Sequence, residues 1–375
     1  MVSTTPAQPA TEVFVVGGGP AGLAAAIAAR QQGFAVTVAD IARPPIDKAC
    51  GEGLMPDSIA ALRSLGIDAD DLDTGIFRGI RFIGEVGTAS AEFLSGPGRG
   101  IRRTVLHDRM VQAAHDAGVV MRWGARVSGV QDGAVILDGQ LVSCRWIVGA
   151  DGQNSQVRRW AGLTAGHEYE RRVGLRRHFG LVPWSDAVEI YWGKRGQAYV
   201  TPVGNNEVCV ALIVKRAHGD FDALLQEFPT LARRLQGAPA LTDARGAVTV
   251  TRRLKSVTRG RFALVGEASG STDAVTGEGL AMSFHHAIAL ARALRAGDLS
   301  RYEKAHRGIH RLPHLMGRTM LLMDKSPWVR DRALRALSAR PELFRRLLAV
   351  HVGDIPLAQF GVPGFVHLGW RILTA

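Results

Sequence analysis

The first patterned stretch of the chain is a short apolar run, Val13 to Val16, followed by glycines and an alanine-rich segment to about Gln32. A short β-branched and aromatic run predicts a buried parallel strand. The alanine-rich segment predicts a helix that Gly33 stops. "FAVTVAD" then predicts a second strand ending at Asp40. The same grammar returns twice. Trp146 to Val148 leads through "GADG" into a helix carrying Ser155 and Arg158. "FALVGEASGSTDAVTGEGLAMSF", Phe262 to Phe284, leads from a strand through a glycine-dense loop into an apolar helix.

Between about Gly166 and Thr251 the pattern changes. "VGLRRHFGL", "AVEIYWG", "QAYVTPVG" and "EVCVALIVKR" are short, β-rich and separated by turns such as "GNNE". They predict an antiparallel sheet. "FDALLQEFPTLARRLQGA" interrupts it with a short amphipathic helix. From Leu299 the chain reads as basic helices, with apolar and arginine positions alternating at helical period. Packing on the rest of the protein is the expectation for them, with peripheral contact to an anionic membrane as the alternative. The closing stretch "FGVPGFVHLGWRIL" is apolar enough to cover a pocket, meet a second subunit or touch lipid.

At 375 residues the chain exceeds what one compact core normally holds, so two domains or one large α/β unit with insertions is expected. No apolar run reaches the length of a membrane span. The first eleven residues lack both charge and an apolar h-region, and read as a loose tail rather than a signal peptide. Cys50, Cys144 and Cys209 form no C-x-x-C pair, which argues against a disulfide scaffold and suits a reducing cytoplasm. The net charge of +12 is read as solvated arginines; without a recognition motif, no nucleic-acid partner is expected. His306, His310 and His314 recur every four residues, but Pro313 should interrupt that turn and no carboxylate joins them. No metal site is therefore expected.

Gly17, Gly19 and Gly22 form G-x-G-x-x-G between the first strand and its helix. Gly17 suits the tight turn, Gly19 lets a pyrophosphate approach the backbone, and Gly22 lets helix and strand pack closely. The helix start offers free N–H groups and positive dipole to phosphates. Asp40 ends the second strand, where an acid can hold a ribose hydroxyl. The pattern predicts a dinucleotide site but does not separate FAD from NAD.

Ala150-Asp151-Gly152 with Ser155 and Arg158 resembles the "DG" motif of single-component FAD-dependent aromatic hydroxylases and their relatives. A strand-end turn capped by an Asp would look the same. "GEASGSTDAVTGEG" resembles the second FAD motif of that superfamily, with Glu267 where Asp is usual; its "TGEGL" end is most like the geranylgeranyl reductase branch. The resemblance implies that Asp151 and Gly152 serve FAD, with Asp151 also helping NAD(P)H to dock. It implies that Gly266 and Glu267 take the ribityl chain, and that Gly277 and Gly279 face the flavin edge. "GIRRTVLHDRM" resembles the helix start that meets FAD, with Arg103 as the match. "RPPIDKACGEGLMP" resembles a flavin-side loop of the reductases and of flavin-dependent halogenases, which makes Cys50, Gly51, Glu52 and Gly53 candidates and gives Lys48 a phosphate or substrate to meet. "AYVTPVG" stands where the reductase branch faces the flavin, with Tyr199 matching. His178, Tyr191 and Trp192 are further candidates for the substrate pocket.

The implied fold is α/β (α+β): a Rossmann-like FAD-binding domain of the glutathione-reductase type, with an inserted antiparallel β-sheet substrate domain and a helical C-terminus. The expected division is a tail at 1–11, the FAD-binding domain at 12–75, 98–165 and 252–298, the sheet domain at 76–97 and 166–251, and a helical region at 299–375. In this superfamily the short amphipathic helix edges the substrate entrance. The implied activity is hydroxylation of a lipophilic phenol or polyketide with FAD, NAD(P)H and O2, with His178, Tyr199 and Cys50 as catalytic candidates. The "GLRRHF…VEIYWG" core resembles flavoproteins paired with type III polyketide synthases, which implies an alkylresorcinol-like substrate. The alternative is reduction of prenyl double bonds, as in geranylgeranyl reductases. A halogenase fits less well without a Trp-x-Trp-x-Ile-Pro stretch, and a non-catalytic flavin module is the remaining class. Monomer and homodimer stay equally open.

Overall fold

Strand β1 (Val13–Val16) is buried at every position because it runs through the middle of a sheet covered on both faces. The computed structural model describes residues 11–131, 133–215 and 219–359. The apolar stretch that ends the sequence lies outside them, as do the first ten residues. After β1 come helix α1 (Pro20–Gln31) and strand β2 (Val36–Asp40). Strands β3 (Gly79–Gly84) and β4 (Gly87–Glu92), helix α2 (Arg103–Asp116) and strand β5 (Val120–Trp123) follow. Strand β6 (Trp146–Gly149) leads into the short helix α3 (Gln156–Trp160). The middle of the chain supplies β7 (Gly166–Gly180), β8 (Ala187–Trp192), β9 (Gly196–Gly204), β10 (Glu207–Val214) and β11 (Arg245–Leu254). Last come β12 (Thr258–Arg259), β13 (Phe262–Leu264) and helices α4 (Gly279–Arg295), α5 (Leu299–Lys325), α6 (Pro327–Ala339) and α7 (Pro341–His351).

Two sheets organise the molecule. The first has the order β12-β13-β6-β1-β2-β5, parallel throughout except for the β12 edge. Helices α1 and α4 pack on it side by side, and one apolar core joins them. The second sheet has the order β11-β7-β10-β9-β8-β3-β4. It is antiparallel except where β8 lies parallel to β3, pairing Ala187 with Gly79 through Tyr191 with Ile83. The strands between Gly166 and Thr251 pair antiparallel throughout, as expected; the parallel pair arises because β3 arrives from the first third of the chain. A long connection, not a hairpin, joins the two strands.

Alternation along the second sheet divides its side chains between two cores. Tyr199, Ala211 and Ile213 share one with Val275, Met323, Leu334 and Phe344. Val208, Val210 and Leu212 share the other with Phe221, Leu224, Phe228 and Leu231. The amphipathic stretch forms two helices, Phe221–Leu225 and Pro229–Arg234, and both belong to that second core. The expectation that they border the substrate entrance is corrected accordingly: they seal the face of the sheet turned away from the cavity described below.

The basic C-terminal helices bury their apolar stripes. Leu334 and Leu337 of α6 and Phe344 and Leu348 of α7 pack beneath β3 and β4. Helix α5 runs unbroken through Pro313, against the expected interruption. Proline removes a backbone hydrogen bond and costs about 3 kcal/mol inside a helix. Here Pro313 is itself buried, and packing against α4 holds the helix through the defect.

A buried charge network ties these parts together. Arg172 of β7 is fully buried; its Nη2 lies 2.5 Å from Asp324 Oδ2 and its Nε 3.4 Å from Asp273 Oδ2. Asp273 belongs to the loop before α4, and Asp324 to the end of α5. A second contact brings the chain's far helix to the same loop: His351 Nδ1 of α7 lies 3.8 Å from Glu278 Oε2. Burial pushes the Glu278 carboxyl up to about 7. A raised carboxyl stabilises the fold fully below its unfolded pKa, and that contribution is lost as pH rises through the folded value. Between about pH 4.5 and 7 the loss amounts to roughly 3 kcal/mol. Melting curves across that window should therefore show wild type losing stability relative to Glu278→Gln as pH rises. Parallel curves would remove Glu278 as the cause.

Candidate active site

The two sheets and helices α5 to α7 enclose a cavity of about 1210 Å³. The first β–turn–helix forms one end of it. Gly17 has φ 109°, and a Cβ there would lie 2.4 Å from the Ala150 carbonyl oxygen. A Cβ on Gly22 would lie 1.8 Å from the Gly17 carbonyl oxygen. A side chain at either position would drive apart β1, β6 and α1. Gly19 instead faces open space, with no atom within 4 Å of a Cβ placed on it. It caps α1 without any side-chain acceptor, so the first N–H groups of the helix point to the cavity unsatisfied.

Helix α4 repeats this arrangement. Its start has no side-chain cap hydrogen bond, and Gly277 and Gly279 line the cavity. Gly277 has φ 70°, and Gly279 likewise has open space where a Cβ would stand. Two uncapped helix N-termini thus meet one cavity, a strong preference for an anionic ligand. Arg103 adds to it: the side chain lines the cavity and its buried Nε has no hydrogen-bond partner. The open space at Gly19 and Gly279, the free N–H groups and this unpaired nitrogen fit a dinucleotide pyrophosphate with a flavin beyond it.

The remaining candidates are held in specific ways. Asp40 accepts hydrogen bonds from Gly18 N at 2.6 Å and Ala42 N at 2.7 Å, which fixes its carboxylate beside the glycine turn. Asp151 lines the cavity with Gly152, yet its carboxylate caps α3, accepting from Ser155 Oγ at 2.5 Å and Gln156 N at 2.6 Å. Arg158 reaches from that helix to the Ala268 carbonyl at 3.0 Å, joining the DG turn to the loop of Gly266. Gly266 has φ 57°, and a Cβ there would lie 2.6 Å from Ala21 Cβ. Glu267 and Lys48 pair at 2.5 Å, and both line the cavity.

The "CGEG" loop meets the second sheet around Glu52. This buried residue has φ 59°, a backbone conformation that side chains other than glycine, Asn and Asp seldom adopt. One carboxylate oxygen accepts from Arg103 N at 2.9 Å, the other lies 2.6 Å from His178 Nε2. Arg176 Nη1 lies 3.2 Å from His178 Nδ1. A guanidinium only donates, so Nδ1 accepts and Nε2–H donates to Glu52. His178 therefore stands behind Glu52 and does not reach the cavity wall. Tyr191 and Trp192 are also absent from that wall; Tyr191 donates to Glu189 on the other face at 2.6 Å.

Tyr199 does line the cavity. Its hydroxyl hydrogen-bonds the Val275 carbonyl at 2.9 Å, and burial pushes the phenol well above its ordinary pKa. It is a neutral group that positions the loop before α4. Cys50 lines the cavity as a free thiol. His107, not singled out above, is buried on α2; its Nε2 hydrogen-bonds the Gly18 carbonyl at 2.9 Å while its Nδ1 accepts from Ile46 N. Burial lowers its pKa. Nothing in the one-dimensional pattern separates it from other helix histidines.

Beyond these polar groups the cavity continues as an apolar arm. Ile80 and Phe82 of β3, Met320 and Met323 of α5, Ala333 and Leu337 of α6, and Phe344 and Leu348 of α7 form its walls. Among the described residues, no helix is long and apolar enough to cross a membrane.

The FAD binding domain family matches residues 10–297. Menaquinone reductase of Mycolicibacterium smegmatis is 32% identical over 329 residues, covering 78% of each chain. Digeranylgeranylglycerophospholipid reductase 1 of Methanothermobacter thermautotrophicus is 28% identical over 302 residues, 72% of this chain and 73% of that one. A flavoprotein/dehydrogenase from Cytophaga hutchinsonii shares the fold with a TM-score of 0.79 at 19% identity, covering 93% of this chain and 94% of that one. With its glycine turns, bare helix starts and matched length, the chain belongs to the FAD binding domain family and is an FAD-dependent oxidoreductase.

Proposed function

We propose that this protein reduces a carbon–carbon double bond in the isoprenoid-type chain of a lipid, with NAD(P)H as the outside reductant. The observation that carries this reading is the apolar arm, which leads from the helix starts of α1 and α4 to the space between the second sheet and helices α5 to α7. A long hydrocarbon chain fits such a space better than a compact polar substrate does. Two relatives named as reductases of lipids, a menaquinone and a digeranylgeranylglycerophospholipid, support it.

FAD, when bound, supplies the hydride chemistry. The protein supplies the rest. The N–H groups of α1 and the Arg103 side chain hold the pyrophosphate. The N-terminus of α4, beside Gly277 and Gly279, would face the flavin and favour negative charge there. The neutral Tyr199 hydroxyl holds the Val275 carbonyl and with it the loop. The arm excludes water and lays the chain alongside. Cys50, which lines the cavity, would give the proton that completes addition of hydride and proton across the double bond. In balance, the alkene, NAD(P)H and one proton become the saturated product and NAD(P)+.

Hydroxylation of a lipophilic phenol with O2 is the second reading. It is favoured by Arg176, a cation in the cavity wall that could face a phenolate. The two readings separate in one assay. FAD-loaded protein with NAD(P)H and a geranylgeranyl lipid, kept free of O2, should add two hydrogens to the lipid. Addition of one labelled oxygen to a long-chain alkylresorcinol under labelled O2, with no hydrogens gained by the lipid, would establish the second reading.

Two substitutions refine the first. Cys50→Ala should lower kcat by roughly 10²–10⁴-fold while FAD content stays unchanged, as removal of a general acid does; undiminished turnover would assign the proton elsewhere. Ala333→Phe should narrow the arm. It should raise KM for a twenty-carbon chain by about tenfold or more, on the scale of a few methylene contacts, while a five-carbon analogue is unaffected. Equal effects on both chains would place the substrate outside the arm.

A further inference from the structure

Three histidines from two helices meet behind the flavin cavity. His286 belongs to α4 and is part of the cavity wall; His306 and His310 are on α5. Their exposures are 0%, 8% and 5%. Ring centroids are 4.5 Å apart for His286 and His306, 5.0 Å for His286 and His310, and 4.3 Å for His306 and His310. One ring nitrogen from each lies within 4.8 Å of the other two.

The hydrogen bonds around the cluster leave lone pairs unused. Neither nitrogen of His286 has a hydrogen-bond partner, nor does His310 Nε2. His306 Nε2 lies 3.0 Å from Ser269 Oγ, and that hydroxyl donates its own proton to the Gly266 carbonyl at 2.7 Å. Ser269 must therefore accept from His306 Nε2–H, which leaves the His306 lone pair on Nδ1. A ring N–H committed to a neighbour, with the opposite nitrogen bare, is how metal-binding histidines are held. Buried polar atoms without partners are costly to keep. Apolar side chains would fill the same space without that cost.

The geometry points to a three-imidazole site for a borderline divalent cation of the zinc class, formed by His286, His306 and His310 in the wall of the flavin cavity. Tetrahedral coordination at about 2.0–2.1 Å brings ligand nitrogens to roughly 3.4 Å from one another. The rings would have to draw in by about an ångström or more, through side-chain rotation on two helices already in contact. Three histidines leave a fourth position of a tetrahedral ion without a protein ligand. Three protein ligands with an open position describe reactive rather than purely structural zinc sites.

The sequence pattern had argued against a metal from the histidines of α5 alone. His314 is not among the three whose donor atoms lie within 4.8 Å of one another. The third ligand comes from α4, which spacing along α5 cannot reveal. A second group, Glu52, His178 and Cys209, has donor atoms equally close. It differs because its histidine is satisfied at both nitrogens, by Glu52 and by Arg176 with Thr242.

The test uses untagged, FAD-loaded protein, stripped with a chelator and titrated with zinc chloride alone. Elemental analysis and calorimetry should find one zinc per chain, weakened about tenfold or more in His306→Ala and in His310→Ala, and unchanged in His314→Ala. Retained FAD absorption identifies the variants that fold. Cobalt(II) on the wild-type protein gives a second readout: tetrahedral visible bands to the red of the flavin, abolished by zinc. Absence of stoichiometric zinc, or equal zinc in wild type and both ligand variants, overturns the site, as does cobalt with the weak spectrum of a hydrated ion. None of these readouts depends on which substrate the flavin serves.

Discussion

Arg172 is the contact on which the rest of the arrangement depends. It rises from the second sheet, is wholly buried, and holds Asp273 on one side and Asp324 on the other. A buried guanidinium is tolerable only when paired, and removing a single partner from such a network is far more costly than replacing the whole of it with apolar groups. The three residues come from a strand, from the loop that opens α4, and from the last turn of α5. Their pairing fixes the glycine loop against the sheet and fixes the helix that closes the apolar arm. Lys215 adds a further contact to Asp324 at 3.5 Å. The cavity's width is therefore set by an electrostatic constraint on its floor as well as by apolar packing around it.

Charge and apolar surface are segregated within that cavity. At one end, two helix starts present N–H groups with no side-chain acceptor, and Arg103 presents an unpaired nitrogen. At the other, methionine, leucine and phenylalanine side chains from three helices leave no such groups. The polar groups of the cofactor suit the first end, and an apolar ligand would suit the second. Most acids in the wall are already engaged. Asp40 holds Gly18, Asp151 caps α3, Glu52 holds Arg103 and His178, and Glu267 meets Lys48. These carboxylates shape the backbone that meets the ligand. Cys50 of the same loop lines the cavity as a free thiol.

The first β–turn–helix was legible because its physics is local. Only glycine satisfies the φ of Gly17 and the 1.8 Å approach at Gly22, so residue type and spacing suffice to identify the turn. The loop of Gly266 to Gly279 was legible for the same reason. Residues whose work depends on partners far along the chain were not. His178 is written into a strand beside two arginines and reads as a pocket residue, but Glu52, 126 positions earlier, takes its Nε2–H and stands between it and the cavity. His107 gives no signal in its helix, yet it anchors Gly18 across 89 positions. Pro313 reads as a helix break, and only burial against α4 explains why α5 continues through it.

By itself the sequence determined the parallel nucleotide-binding sheet, the glycine turns that admit a dinucleotide, and the presence of a second, differently built sheet. Each follows from interactions within a few residues, where backbone sterics and hydrophobic period decide the outcome. Tertiary structure alone decided the parallel pairing of β3 with β8, the face covered by the two short helices, the apolar arm under α5 to α7, and the meeting of His286 with His306 and His310. Those features depend on which surfaces find one another when the chain is buried, and periodicity marks a surface as apolar without naming its partner.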